Sequence, residues 1–405
     1  MLQLPETKAF VKREWRFLLF GLLLTFWSSP GQTFVISLFS SHIRADFNLT
    51  HGEFGTIYTI ATLASAALLW KTGPLVDHMP LKKFALQAVV IMSIATALVA
   101  GIQGPITLCL GIFCVRFMGQ GMLYHIALTS MARRYEKERG RAVAIAGLGF
   151  SLAETSFPPL IVLALGAFDW KLIWLAMAFL IACTLPPIIP RLISHTTTQD
   201  GQGSAELIAL DDDQKHWTRA RMLRDRRFYL LALTPIAQSG VITGIFFHQV
   251  YLISLKGWSL EWWSICFSIF AASAFTGTLT SGFLVDHFRA RIVAPVVLLP
   301  LATGLILFGS LSHPAFAALI MAFFGFGAGL SGPSFSSLWP ELYGLKHLGA
   351  IRSVANVVMV FGSALGPVVV GTALDAGISL QAICYVSAGL VMCGSIACLK
   401  ALKDD

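Results

Sequence analysis

Two charged side chains stand deep inside long apolar runs: Arg116, in RFMGQG, and Glu154, in GLGFSLAETSFPP. If those runs cross a bilayer, each charge costs at least about 2.5–3.5 kcal/mol and needs a partner or a function. Arg116 lies about eleven residues into its run and Glu154 about thirteen into the next, counted from opposite faces. At about 1.5 Å per helical residue the two sit at similar depth. One chemistry open to them is a salt bridge in which Glu154 takes up a proton, releases Arg116, and so couples proton movement to ligand binding. The other is a static buried ion pair that only sets helix packing. Arg116, Gln120 and Tyr124 recur every four residues and share one helical stripe. A stripe of hydrogen-bonding groups beside an arginine suits a carboxylate or another small anion.

Further polar residues interrupt apolar sequence: Gln32 and Thr33, Tyr58, then Gln238, Thr243, His248, Gln249 and Tyr251, and finally Asn356. Each can equally bond a neighbouring helix. His248 can titrate, although it falls near a predicted outer surface; His125 reads as a packing residue. The stretch GFGAGLSGPSFSSLWPE, from Gly325 to Glu341, is glycine-rich, but no strand precedes it and no lysine follows in the place a nucleotide loop needs. It reads as a small-residue helix weakened by proline, with Phe335 and Trp339 as gate or cavity walls.

The elements that must position these residues are legible from composition. Of 405 residues, 56% are hydrophobic and only 12% charged, with mean hydropathy +0.73. A soluble chain is about a quarter charged. Twelve apolar runs are long enough to span a bilayer as helices: 17–41, 53–71, 83–101, 105–129, 141–166, 170–190, 228–254, 262–283, 292–311, 314–338, 349–373 and 378–399. Backbone groups in lipid need internal partners, which predicts an all-α membrane protein. The first run is too long for the apolar region of a signal peptide and reads as a retained helix.

With the N-terminus inside, predicted inner segments hold 25 of the 29 Lys and Arg; Arg44, Lys171 and Lys256 lie outside and Arg116 lies mid-helix. This bias places both termini in the cytoplasm. It also accounts for the net charge of +8, so no nucleic-acid partner is needed. The seven cysteines sit in or near apolar runs without a CxxC pair and read as small core residues. Asp211, Asp212 and Asp213 read as solvated loop carboxylates, so neither a metal nor a cofactor is expected. No catalytic triad, metal cluster or nucleotide loop supports an enzyme. A monomer is expected, with the lipid bilayer and a small molecule as its partners.

One phrase is written twice, GPLVDH at 73–78 and GFLVDH at 282–287, an offset of 209. The same offset relates Gly140 to Gly349, Pro158 to Pro367 and Thr50 to Ser259. Thr50 and Glu53 also have capping-box spacing at a predicted helix start. The offset implies two six-helix halves in the same orientation: residues 1–190, a polar linker 191–226, and residues 227–405. Gly73 and Gly282 are placed at inner helix ends, with Asp77 and Asp286 just beyond them, where a carboxylate can accept from amides at a helix start. Such amides lie near Gly140 and Arg141 and near Gly349 and Arg352. Asn48, Leu49 and Thr50 match the glycosylation sequon, a common short pattern.

The chain resembles the major facilitator superfamily. GPLVDH with Lys82 and Lys83 is similar to that family's signature in the loop between helices 2 and 3, although His78 and Pro80 replace the usual basic residue and glycine. RFMGQG is similar to its helix-4 motif of arginine followed by glycines, and Gly147 to Pro159 occupies the place of its helix-5 motif. The resemblance implies twelve transmembrane helices in two parallel-repeat bundles. It also implies a latch in which Asp77 meets the start of helix 11 and Asp286 the start of helix 5. A cavity lined mainly by helices 1, 4, 7 and 10 would make Gln32, Tyr58, Gln238, Gln249 and Asn356 candidate ligand contacts beside Arg116, Gln120 and Tyr124. The expectation is a plasma-membrane secondary transporter working by alternating access, moving a small organic anion with protons. Arg116 would hold the anion and Glu154 the proton. The alternative is a proton-antiporting exporter of amphipathic compounds; a transporter-shaped receptor or lipid-handling protein is a third class.

Overall fold

The computed structural model describes residues 4–73, 75–135, 138–193, 217–344 and 346–403; the side chains of residues 4–7 and of Asp77 lie outside that description, as do Asp211, Asp212 and Asp213. The described residues form helices and no strands. Among the described residues eleven helices are long and apolar enough to cross a membrane, and a pair bent by 44°, Lys8–Gly31 with Thr33–Phe47, makes twelve when counted as one span. Their outward faces carry large apolar side chains such as Ile106, Leu163 and Val386. That surface belongs against lipid rather than water.

The repeat is visible in the helix boundaries. Helices beginning at His51, Leu81, Arg139 and Trp170 are echoed by helices beginning at Leu260, Ala290, Leu348 and Leu380, offsets of 209 to 210. The short helix Ser40–Phe47 is echoed by Gln249–Leu255 at the same offset. The packing repeats as well. Leu4–Trp27 lies along Arg139–Leu165 as Arg226–Phe247 lies along Leu348–Asp375, and Leu81–Ala100 lies along Trp170–Ile193 as Leu299–Ser310 lies along Leu380–Lys403. Two stretches of one chain thus bury their faces by the same pairings.

By compactness the chain divides into Met1–Asn48 with Ile60–Ser204, and Leu49–Thr59 with Ala205–Asp405. The first turns of the helix His51–Thr72 group with the second unit, which no local sequence feature foretold. This helix opens on the expected capping box: the Thr50 amide donates to Glu53 Oε2 (2.9 Å) and the Glu53 amide to Thr50 Oγ1 (3.2 Å).

Two expectations are corrected. The first span, predicted as one run over 17–41, is broken. Leu4–Trp27 gives way to a 3₁₀ turn Ser29–Gly31, an extended Gln32, and a new helix from Thr33. Ser28, Ser29, Pro30 and Gly31 are poor helix formers in sequence, and Pro30 has no amide to donate. The second correction concerns the duplicated phrase. His51–Thr72 ends before Gly73, and a separate short helix, Leu75–His78, carries Asp77. The second copy continues instead: Leu260–Phe288 runs through Gly282 and Asp286, so Asp286 is inside the helix, not beyond it. The two phrases differ at one position, Pro74 against Phe283. A proline at the end of a helix stops it where a phenylalanine does not.

Candidate functional site

The helix that carries Arg116 is not a uniform α-helix. Pro105–Val115 and Tyr124–Arg134 are α-helical, and between them Arg116–Leu123, the RFMGQGML stretch, widens into a π-helix. Such wide turns are rare and cost hydrogen-bond geometry. Here the compensation is contact. Gly119 packs against the Ser28 carbonyl and Gly31, and Gly31 against the Val115 carbonyl; a Cβ on either glycine would collide with backbone. The break in the first span therefore sits directly on the widened turn of the fourth. Two irregular stretches of backbone at membrane depth are tolerable when each is buried against the other.

Arg116 is 1% exposed. Its Nη1 lies 3.4 Å from the Gly31 carbonyl oxygen, a long bond to a group the helix break has released. Ion pairs among the described residues include Arg134 with Glu14 (3.2 Å) and Arg291 with Glu341 (3.3 Å). None of these pairs joins Arg116 to Glu154, so the expected salt bridge is not formed. Its physical reason is local: freed backbone carbonyl oxygen offers the guanidinium an alternative to the carboxylate.

Glu154 is half-buried on Arg139–Leu165. Phe150 and Phe157, one turn before and after it on the same face, carry aromatic layers. Phe150 meets Phe34 (5.8 Å) and Tyr124 (6.0 Å); Phe157 meets Phe26 (5.3 Å) and Trp27 (5.9 Å). The Arg139–Leu165 helix is pinned to the first span by Thr25 Oγ1, which donates to the Ala146 carbonyl. Arg116, Gln32, Tyr124 and Glu154 thus share the first unit, on the three helices that meet around the break; Gln32 is nearly buried beside Gly31, and Gln120 is exposed.

The other candidates are placed differently. Tyr58 is fully buried in the second unit, 4.4 Å from the Phe247 ring. Gln249 is buried and accepts from Trp263 Nε1 at 2.7 Å, so its amide is used in packing. Gln238 is half-buried on Arg226–Phe247 and Asn356 is exposed on Leu348–Asp375. Phe335 and Trp339 are buried in an aromatic column: Phe335 meets Trp339 (6.0 Å), Trp339 meets Tyr343 (6.3 Å), and Tyr343 meets Trp217 (5.4 Å). Of the latch candidates, Gly73 is buried, Gly282 and Arg141 are half-buried, and Asp286 is exposed. Arg352 donates to the Ser336 carbonyl at 2.8 Å.

This fold matches known proteins. The Major Facilitator Superfamily model matches residues 21–367, and the chain belongs to that superfamily of membrane transporters. A bovine (Bos taurus) protein, "Monocarboxylate transporter 13", is 26% identical over 287 residues, 68% of this chain and 63% of that protein. The match therefore spans somewhat less than two thirds of the relative's length. Among solved structures, the nucleoside transporter NupG superposes with TM-score 0.71 at 16% identity, covering 96% of this chain and 99% of that one. A bacterial homolog of the human lysosomal transporter Spinster, solved inward-facing and unoccupied, gives TM-score 0.69 at 16% identity, covering 96% and 94%. These likenesses show the fold: twelve transmembrane helices in two parallel-repeat bundles.

Proposed function

We propose that this transporter moves a small, monocarboxylate-like organic anion together with protons across the plasma membrane by alternating access, with both termini cytoplasmic. The observation that carries the proposal is the placement of a buried guanidinium, Arg116, at the contact between a broken and a widened helix, with Gln32, Tyr124 and Glu154 on the same three helices. Arg116 presents fixed donors that match a carboxylate. Glu154, flanked by Phe150 and Phe157, carries the proton. When the anion occupies Arg116 and the proton occupies Glu154, the site carries no net change in charge and can cross the low-dielectric interior at least cost. The sequence similarity to a monocarboxylate transporter supports the same substrate class.

Gln238 and Asn356 are proposed as further substrate contacts, and Phe335 and Trp339 as the apolar closure of the pathway. Gly73, Asp77 and Arg352 are proposed as latch elements. Asp77 is the stronger latch residue, because only its copy of the phrase follows a helix end.

A second reading has its own support. Phe150 and Phe157, one turn either side of Glu154, meet Phe34 and the Phe26 and Trp27 rings respectively, and an aromatic setting of that kind also suits an exporter of amphipathic compounds. Proteoliposome flux separates the two. The anion reading expects Glu154→Gln to abolish uphill, proton-driven uptake of small carboxylates while sparing counterflow exchange. Unchanged uphill uptake in that variant excludes the coupling role, and export of amphipathic dyes without carboxylate uptake selects the second reading.

A further inference from the structure

The predicted inner ends of the two halves are built on one plan. Glu14 and Phe17 recur as Asp225 and Phe228, each 211 residues on, and Tyr135 recurs as Tyr343, 208 residues on. In the first half the Tyr135 hydroxyl donates to Glu14 Oε2 at 2.9 Å, and Arg134 Nη2 donates to the same oxygen at 3.2 Å. The Tyr135 ring meets Phe10 (5.1 Å, 84°) and Phe17 (6.1 Å). In the second half the Tyr343 hydroxyl donates to Asp225 Oδ2 at 3.3 Å, and Phe228 meets Trp339 (6.1 Å), one turn before Tyr343. Twice, then, an acid at the inner end of one helix holds a tyrosine where another helix stops.

One place in the plan is filled differently in the two halves. Leu4–Trp27 begins well before Glu14, so the helix supplies the Phe10 ring itself. Arg226–Phe247 begins directly after its N-cap, Asp225, whose carboxylate also takes the Arg227 amide at 3.0 Å. That helix has no earlier turn to carry a ring, and the end of the linker supplies one instead. Trp217 packs its ring on Tyr343 (5.4 Å, 60°) and donates its amide to the Tyr343 carbonyl at 2.9 Å. A helix leaves its last carbonyls without internal partners, and this one stops at Gly344, whose φ is +80°. Trp217 is held in turn. Arg221 lies over its ring at 4.3 Å. The Thr218 hydroxyl accepts from the Arg221 amide at 3.3 Å and starts the short helix Arg219–Met222, where Met222 is fully buried. All of these second-half contacts lie within the second unit.

We propose that the stretch from Trp217 to Asp225 is a strap that braces the inner end of Phe316–Tyr343, so that the linker controls this helix end as well as joining the halves. Trp217, Tyr343, Trp339 and Phe335 form one continuous column of rings, each 5.4 to 6.3 Å from the next, within the range over which aromatic pairs attract. Taking away Trp217 removes one ring from Tyr343 and the donor from its carbonyl, and so loosens the column from its inner end. The first half is untouched by that loss, because its ring belongs to the helix itself. That the strap thereby tunes closure of the pathway rests on the role proposed above for Phe335 and Trp339; the bracing does not.

Hydrogen–deuterium exchange of the purified full-length protein tests it. Trp217→Ala is expected to raise exchange about tenfold over residues 335–344 and to leave residues 127–135 and the helix Leu299–Ser310 at the wild-type level. Trp217→Phe, which keeps a ring, is expected to stay near wild type. Phe10→Ala is expected to show the reverse pattern, with faster exchange over 127–135 and none over 335–344. Unchanged protection of 335–344 in Trp217→Ala overturns the proposal, as does a rise of equal size in Leu299–Ser310. If Trp217→Ala does not fold, by its melting curve, Trp217→Leu is read in its place by the same criteria. Counterflow of a small carboxylate in proteoliposomes reads the gating role separately. A changed counterflow rate in Trp217→Ala supports it, whereas faster exchange over 335–344 with a wild-type counterflow rate keeps the strap and overturns the closure role of Phe335 and Trp339.

Discussion

Arg116 reaches the carbonyl oxygen of Gly31 rather than the carboxylate of Glu154. The guanidinium and the carboxylate are held by neighbouring helices, and the proposed mechanism gives each a different ion. A fused ion pair would have to be broken before either could bind anything, and breaking a buried pair costs about 3–5 kcal/mol.

Replacing Arg116 by lysine keeps the charge and removes the planar fork. Affinity for a small carboxylate is expected to fall about tenfold or more, near 1.4 kcal/mol, with little change in melting temperature. Titration calorimetry on the purified protein measures this; wild-type affinity in the variant would assign Arg116 to packing.

Gly119 has room for hydrogen alone. A methyl group there would meet the Ser28 carbonyl oxygen at 2.6 Å and the Gly31 Cα at 3.0 Å. Gly119→Ala is expected to destabilise the protein by about 1–3 kcal/mol through overpacking and to weaken carboxylate binding at the same time, since the widened turn carries Arg116. A thermal melt and a binding isotherm on the same preparation check both halves.

The capping box of Thr50 and Glu53 gives a cleaner stability test. Thr50→Ala is expected to cost about 0.5–2 kcal/mol. Glu53→Ala is expected to cost a similar amount, and the double variant less than the sum, because each side chain serves the other's amide. Melting curves of the four proteins supply the cycle.

Phe283→Pro would write the first copy of the duplicated phrase into the second. Leu260–Phe288 should then end about a turn early, at a cost of about 3 kcal/mol or more. Faster amide exchange over 283–288, with the rest of the helix protected, would show it.

Much of this architecture was legible in the sequence, because its causes are local or periodic. Apolar length set the spans, and an offset of 209 between like residues set the repeat; the helices starting at Arg139 and Leu348 keep that offset. The capping box followed from two residue types three positions apart. Departures come where distant contacts decide. Hydropathy averaged across Ser28 to Gly31 and hid the break, although four poor helix formers in a row were its signal. The wide turn at Arg116–Leu123 depends on Gly119 meeting the first span, which no window over that helix contains. The bond from Trp263 Nε1 to the Gln249 oxygen likewise joins residues that no short window links. The bond from Asp375 to the His51 amide joins residues whose neighbourhood in sequence says nothing of each other.

The central claim is that anion and proton move together. The most direct measurement is of proton flux into proteoliposomes on adding a small carboxylate with no pH gradient imposed and the membrane potential clamped. The account predicts a proton movement in the same direction as the anion, present in wild type and absent in Glu154→Gln. Carboxylate uptake with no accompanying proton flux, or with the same flux in the variant, would contradict it.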